Sequence, residues 1–169
     1  MELCVQDVVD SSFADNPDTR KSTSDYLGTT GGGALVNWIS KDQNIVTMSS
    51  TESKYVLLSN GVKETTFIAN LLGEINKVRL PSMISEDNTE AIFLSGNKQV
   101  GARTKHIDTR YHFICEKVEN GSIIVSYVNT VKNPSDFLSK NVTQKIHNMH
   151  AFNMRNGMLD CWNRESVKM

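Results

Sequence analysis

No apolar run in this chain approaches the roughly 20 residues that a membrane-spanning helix needs. Low-complexity tracts and repeats of fixed period are absent too. Cysteine is scarce. Cys4, Cys115 and Cys161 form an odd set without a CxxC pair, which argues against a disulfide framework and for free thiols in a reducing, intracellular compartment. The amino end, Met1 to Asp7, carries acid where a secretory signal needs base, and it has no apolar segment. Nor does one charge dominate. The formal net charge of −1 does not mark a nucleic-acid binder, whose domain is usually basic.

What is present suits a soluble globular domain, with 22% charged and 38% hydrophobic residues. A chain of 169 residues is long enough for one domain that buries about two-thirds of the surface its unfolded form exposes. Residues 3–9 read as a short strand that delivers Asp10. From Ser22 to Met48 turn residues separate apolar runs. The strand Ala34–Ile39 and the run Ile45–Met48 follow the punctuation at Gly31–Gly33 and Lys41–Asn44. An antiparallel meander is predicted there.

Ser49, with Glu52 three residues on, spells a capping box that opens a helix. Apolar residues at Tyr55, Leu58, Val62, Ile68, Leu72 and Ile75 keep a helical period to about Gly73 or beyond, with Gly61 against it. A strand over residues 81–87 ends on Asp87, and Asn88 starts a short helix closed by Gly96. Thr104 can cap a further helix with Ile107, Tyr111, Ile114 and Val118 on one stripe, ending at Asn120-Gly121. Ser122–Val128 is a clear strand, and Asn133-Pro134 begins a last short helix containing Asp136. The order β-β-β-β-α-β-α-α-β-α implies an α/β sheet with both faces partly covered. His147, His150 and Cys161 fit no standard zinc spacing, and a terminal helix is the better reading of that segment.

Four acids from four separate segments, Asp10, Glu52, Asp87 and Asp136, stand at strand ends or helix starts. A fold can aim carboxylates from such places at one point. Oxygen-only ligands suit hard divalent cations, above all Mg²⁺, and so metal-dependent phosphodiester cleavage. Each acid alone also reads as solvated surface charge, and Glu52 reads equally well as a helix cap. Lys98, Arg103, Lys105, His106, Arg110 and Lys117 make a basic stretch between two of the acidic patches.

Five ordered stretches now read together: Thr19–Ser24, Gly31–Trp38, Ser49–Tyr55, Asp87-Asn88 and Arg103–Ile114. Over about residues 8–140 the chain resembles the ribonuclease H domain of copia-type LTR retrotransposon polyproteins. The resemblance implies a mixed five-stranded central sheet flanked by helices over residues 1–141, with residues 142–169 a helical or partly ordered extension. Carried over by motif, the family's catalytic acids fall on Asp10, Glu52, Asp87 and Asp136, which would hold two Mg²⁺ ions, with Mn²⁺ able to substitute. In such two-metal enzymes the ions sit about 3.5–4 Å apart. The implied substrate is the RNA strand of an RNA–DNA hybrid, with Ser12, Thr51 and Asn88 as hydroxyl and amide contacts and Lys105, His106 and Arg110 at phosphates. The implied partner is the reverse transcriptase of the same polyprotein, in a cytoplasmic (virus-like particle) or nuclear setting.

The chain departs from the family pattern at identifiable places. Ser12 stands where a second aspartate is usual, Asp25 where glycine precedes the tyrosine, Lys54 where a second glutamate is usual, and Cys115 where arginine is typical. Other implied readings are a catalytically inactive remnant that keeps the fold, an integrase-like enzyme of the same fold, and a plain interaction module. Crowded, metal-free carboxylates repel, so neutralising Asp87 is expected to raise metal-free stability in the quartet reading.

Overall fold

A computed structural model describes residues 4–31, 33–77, 79–97 and 105–156 of the chain. β1 (Val5–Ser12), β2 (Thr23–Thr30) and β3 (Leu35–Asp42) form an antiparallel meander. The long helix α1 (Ser50–Asn76) follows, then β4 (Ser82–Glu86), α2 (Thr89–Gly96), α3 (Lys105–Glu119) and β5 (Ile123–Tyr127). Two short 3-10 turns, Thr130–Lys132 and Pro134–Leu138, lead to α4 (Gln144–Arg155). The sheet order is β3-β2-β1-β4-β5, with β4 parallel to β1 and β5 parallel to β4. This is the mixed five-stranded sheet with flanking helices that the resemblance implies.

One expected strand is missing. Ile45–Met48 forms no strand, because β3 runs on to Asp42 and the chain must then climb to the start of α1. The backbone N–H of Gln43 makes the last bond to that side of β2, at Ser22 O, 2.8 Å away. Thr47 is pinned by its hydroxyl to that of Ser22 at 3.1 Å. The run is therefore a tethered connector. β1 also extends past its expected end, so Asp10 lies inside the strand.

Alternation along β1 decides what meets the helix. Asp7, Val9 and Ser11 face α1, where they meet Thr65, Gly61 and Ser53. Those three positions are spaced by four and eight, one row on the helix surface. Gly61 lets the row sit close: a Cβ would stand 3.2 Å from Val9 Cγ1, tighter than ordinary van der Waals contact. Around the row packs the core of Val9, Tyr26, Tyr55, Leu58, Val62, Ile84, Tyr111, Ile114 and Ile123, all buried. Asp10, on the opposite parity, is turned to the other face, toward the Pro134–Leu138 turn.

Candidate functional site

The two parallel neighbours β1 and β4 end at the same edge of the sheet. Val8 pairs with Ser85, so Asp10 and Asp87, each two residues further, come out side by side. Crevices at the carboxyl ends of parallel strands are where α/β sheets place ligands. Asp136 arrives from the far end of the chain. Asn133, buried, caps the 3-10 turn by accepting from Ser135 N at 3.0 Å, and its amide Nδ2 donates to Val9 O at 3.0 Å. That bond fixes the turn one residue before Asp10.

Three of the four expected acids therefore converge, Asp10, Asp87 and Asp136. They are joined by two ammonium groups. Lys54 Nζ lies 2.8 Å from Asp10 Oδ1, 3.6 Å from Glu86 Oε1 and in hydrogen-bond contact with Asp87 Oδ1. Lys140 Nζ lies 2.7 Å from Asp10 Oδ2 and 3.0 Å from Asp136 Oδ1. Both oxygens of the fully buried Asp10 carboxylate are thus ion-paired.

The contribution of α1 to this cluster differs from the sequence expectation. Glu52 belongs to the helix cap: its backbone N–H donates to Ser49 Oγ at 3.1 Å, and its Oε2 accepts from Met48 N–H at 2.7 Å. Residues two apart on a helix point to opposed sides. With Glu52 turned to the cap, position 54 is the one aimed at Asp10 and Asp87. The acid carried over by motif to Glu52 is replaced in the cluster by a base, Lys54.

Burial shapes the charges. It pushes Asp136 up to about 6, with the Asp10 carboxylate adding to the rise and Lys140 opposing it. Asp25, paired across the β1–β2 ladder with Asp10, is pushed by burial to about 6 despite hydroxyl donors at Ser139 and Ser40. Burial also holds Glu86 well above the ordinary carboxylate range, although Lys54 pulls against it. For Asp87 burial is outweighed by hydrogen bonds from Lys54 and from the Thr130 hydroxyl, 2.7 Å away, and it stays below its usual value. Burial opposes the charge of Lys54 as well, but Glu86, Asp10 and Asp87 outweigh it and keep the ammonium protonated.

The residues do not fit a divalent cation. Mg²⁺ binds carboxylate oxygens at about 2.0–2.1 Å in a strict octahedron, and the ammonium groups stand where such an ion would meet Asp10. Among the described residues no group of three or more His, Cys, Asp and Glu side chains is placed to hold a metal ion.

The expected substrate contacts lie on several elements. Ser12 Oγ is 3.4 Å from Ser139 Oγ, Thr51 donates to Glu90 Oε2 at 2.6 Å, and Asn88 caps α2 by accepting from Ala91 N at 2.8 Å. Arg110 is half-buried on α3, and the side chains of Lys105 and His106 lie outside the described set. Residues 98–104, with the expected cap Thr104, and Cys161 also lie outside it. His147 and His150 pack on the Phe137 ring, His150 stacked at 5.7 Å and His147 edge-on at 5.9 Å. Lys140, Glu86 and Asn133 are members of the cluster that sequence reasoning does not single out, and Lys54, noted there as standing where a second glutamate is usual, has no place in the expected site. The small residues Ser53, Gly61 and Thr65 were the available signal, because a close helix–strand row fixes which neighbours point past the strand end.

No family model matches the chain. It is 40% identical over 131 residues to the retrovirus-related Pol polyprotein from transposon TNT 1-94 of Nicotiana tabacum, covering 78% of this chain. To the corresponding polyprotein from transposon RE1 of Arabidopsis thaliana it is 35% identical over 132 residues, again 78% of the chain. It spans 10% and 9% of the length of these relatives. Among solved structures, LC11-RNase H1 isolated from compost superposes with a TM-score of 0.61 at 13% identity, covering 81% of this chain and 93% of that one. The same enzyme in complex with an RNA/DNA hybrid gives a TM-score of 0.58 at 11% identity, covering 79% and 92%. The prototype foamy virus protease–reverse transcriptase gives 0.56 at 11% identity, covering 96% of this chain and 21% of that one.

Proposed function

We propose that this chain, a homologue of retrovirus-related Pol polyproteins with the RNase H fold, is a retrotransposon RNase H-like domain that engages RNA–DNA hybrid without hydrolysing it. The observation that carries the reading is the position of Lys54, whose ammonium stands between Asp10 and Asp87. Two-metal hydrolysis needs these carboxylates free to hold cations, which would lower the pKa of a bound water. Here Lys54 and Lys140 share both oxygens of Asp10, and no step through a metal follows from that arrangement.

Support for hybrid as the ligand comes from the fold, shared with an RNase H1 in complex with an RNA/DNA hybrid. The two ammonium groups add to it: Lys54 and Lys140 face Asp10, Asp87 and Asp136 and offset most of the negative charge that an approaching phosphate would meet. Contacts of this kind weaken with salt. The reverse transcriptase part of such a polyprotein is the natural partner in holding the hybrid.

A second reading, Mg²⁺- or Mn²⁺-dependent cleavage of the RNA strand, draws support from the convergence of Asp10, Asp87 and Asp136. It requires both lysines to leave Asp10. The test is cleavage of a labelled hybrid in Mg²⁺ and in Mn²⁺, for the chain alone and fused behind a reverse transcriptase, beside an Asp10→Asn control. Binding without cutting in all four settings is expected. Cutting of the RNA strand that the control abolishes overturns the non-hydrolysing reading.

A further inference from the structure

We infer that Lys54 is a tethered counter-cation, which assembles the carboxylate cluster of this chain without divalent metal and keeps metal out of it. The inference deepens the non-hydrolysing reading and rests on it. A surface lysine would point to water, but Lys54 is 14% exposed. One ammonium meets three carboxylates from β1, the end of β4 and the residue after it: Asp10 at 2.8 Å, Glu86 at 3.6 Å, and Asp87. Two of its N–H donors go to Asp10 and Asp87, and Glu86 lies at ion-pair distance.

The surroundings call for the cation. Asp10 is fully buried, and an unpaired charge there is strongly destabilising. Glu86 Oε1 is held by the backbone N–H groups of Asp87 at 3.0 Å and Asn88 at 3.2 Å. Asp87 takes a second donor from Thr130. Glu86 and Asp87 are thus held at the end of β4 by backbone and hydroxyl donors. Lys140 serves the other side, between Asp10 and Asp136. Electrostatics then sets the competition: a divalent ion entering this space meets a positive charge a few ångströms away. Removing that charge, or reversing it, opens the place to metal.

The test compares the wild-type chain with Lys54→Gln and Lys54→Glu. Thermal unfolding is followed in EDTA and in millimolar Mg²⁺, and Mn²⁺ binding is followed by the paramagnetic resonance signal of the free ion. The wild-type Tm is expected to be the same with and without metal. Lys54→Glu is expected to bind Mn²⁺ at least about tenfold more tightly than wild type, since the local charge changes by two units. Its Tm should rise with metal. Should Lys54→Glu fail to fold in EDTA, its refolding on addition of Mn²⁺ supports the inference, and Lys54→Gln, which adds no acid, carries the affinity comparison. Wild-type Mn²⁺ affinity equal to that of both variants overturns it. The two ideas fail separately. A wild-type chain that binds Mn²⁺ yet leaves hybrid uncut overturns the counter-cation and spares the non-hydrolysing reading. A chain that cuts hybrid in Mg²⁺ overturns that reading.

Discussion

The side-chain amide of Asn133 donates to the carbonyl of Val9 across 124 positions of sequence, at 3.0 Å and out of contact with water. The same side chain accepts from the backbone N–H and the hydroxyl of Ser135, at 3.0 and 2.6 Å. One residue thereby ties the turn carrying Asp136 to the strand carrying Asp10. Asn133→Ala leaves a buried carbonyl and a helix-turn N–H without partners, at a cost of about 1–3 kcal/mol. Urea unfolding should show that loss. A variant as stable as wild type would mean the turn is held elsewhere.

Asp87 is expected to behave as a paired acid. Its pKa is lowered on folding, burial being outweighed by the Lys54 and Thr130 bonds. A lowered value contributes stability above the unfolded pKa of 3.8 and loses it as pH falls through the folded value. Asp87→Asn should therefore destabilise by about 1–3 kcal/mol at neutral pH, with the difference shrinking in acid. A metal-free quartet of crowded carboxylates would give the opposite sign. Unfolding at pH 7 and at pH 3 in EDTA distinguishes the two.

Asp7 titrates the other way. Burial raises it from 3.8 to about 7, with the Thr65 and Tyr26 hydroxyls opposing the rise. A raised carboxylate favours the folded state fully below pH 3.8, and that favour is lost as pH climbs through about 7. Asp7→Asn has no proton to lose there. Its stability relative to wild type should grow between pH 4 and 8, read from urea midpoints across that range. Parallel curves would show that Asp7 is neutral or ionised in both states alike.

Gly61 lies on the row of α1 that packs against β1. With an added Cβ 3.2 Å from Val9 Cγ1, Gly61→Val overpacks the row and should cost about 1–3 kcal/mol despite removing a helical glycine. Thermal unfolding checks it. A stabilised variant would mean that the helix can shift without loss.

Much of the fold is legible in the sequence. Ser49 and Glu52 announce the start of α1, Asn88 that of α2, and the β-branched and aromatic run Ser122–Val128 announces β5. Ile45–Met48 is not legible, because its apolar residues anchor a connector and the tether, Thr47 to Ser22, depends on tertiary placement. The acids at positions 10, 87 and 136 are found by motif because strand ends and turns advertise themselves locally. Lys54 is different. Whether position 52 or 54 faces the sheet depends on how the row Ser53–Gly61–Thr65 seats on β1, which no local pattern around Glu52 states. The standing of Lys54 where a second glutamate is usual marks the position as unusual, but its place in the cluster emerges only when Asp10, Glu86 and Asp87 are brought to it by β1 and the end of β4.

The decisive observation is a crystal structure of the wild-type chain grown in Mn²⁺, with anomalous scattering recorded. The expected map shows Lys54 Nζ within hydrogen-bond reach of Asp10 and Asp87 and no anomalous peak between them. A Mn²⁺ peak bridging Asp10 and Asp87, with Lys54 swung aside, would contradict the account.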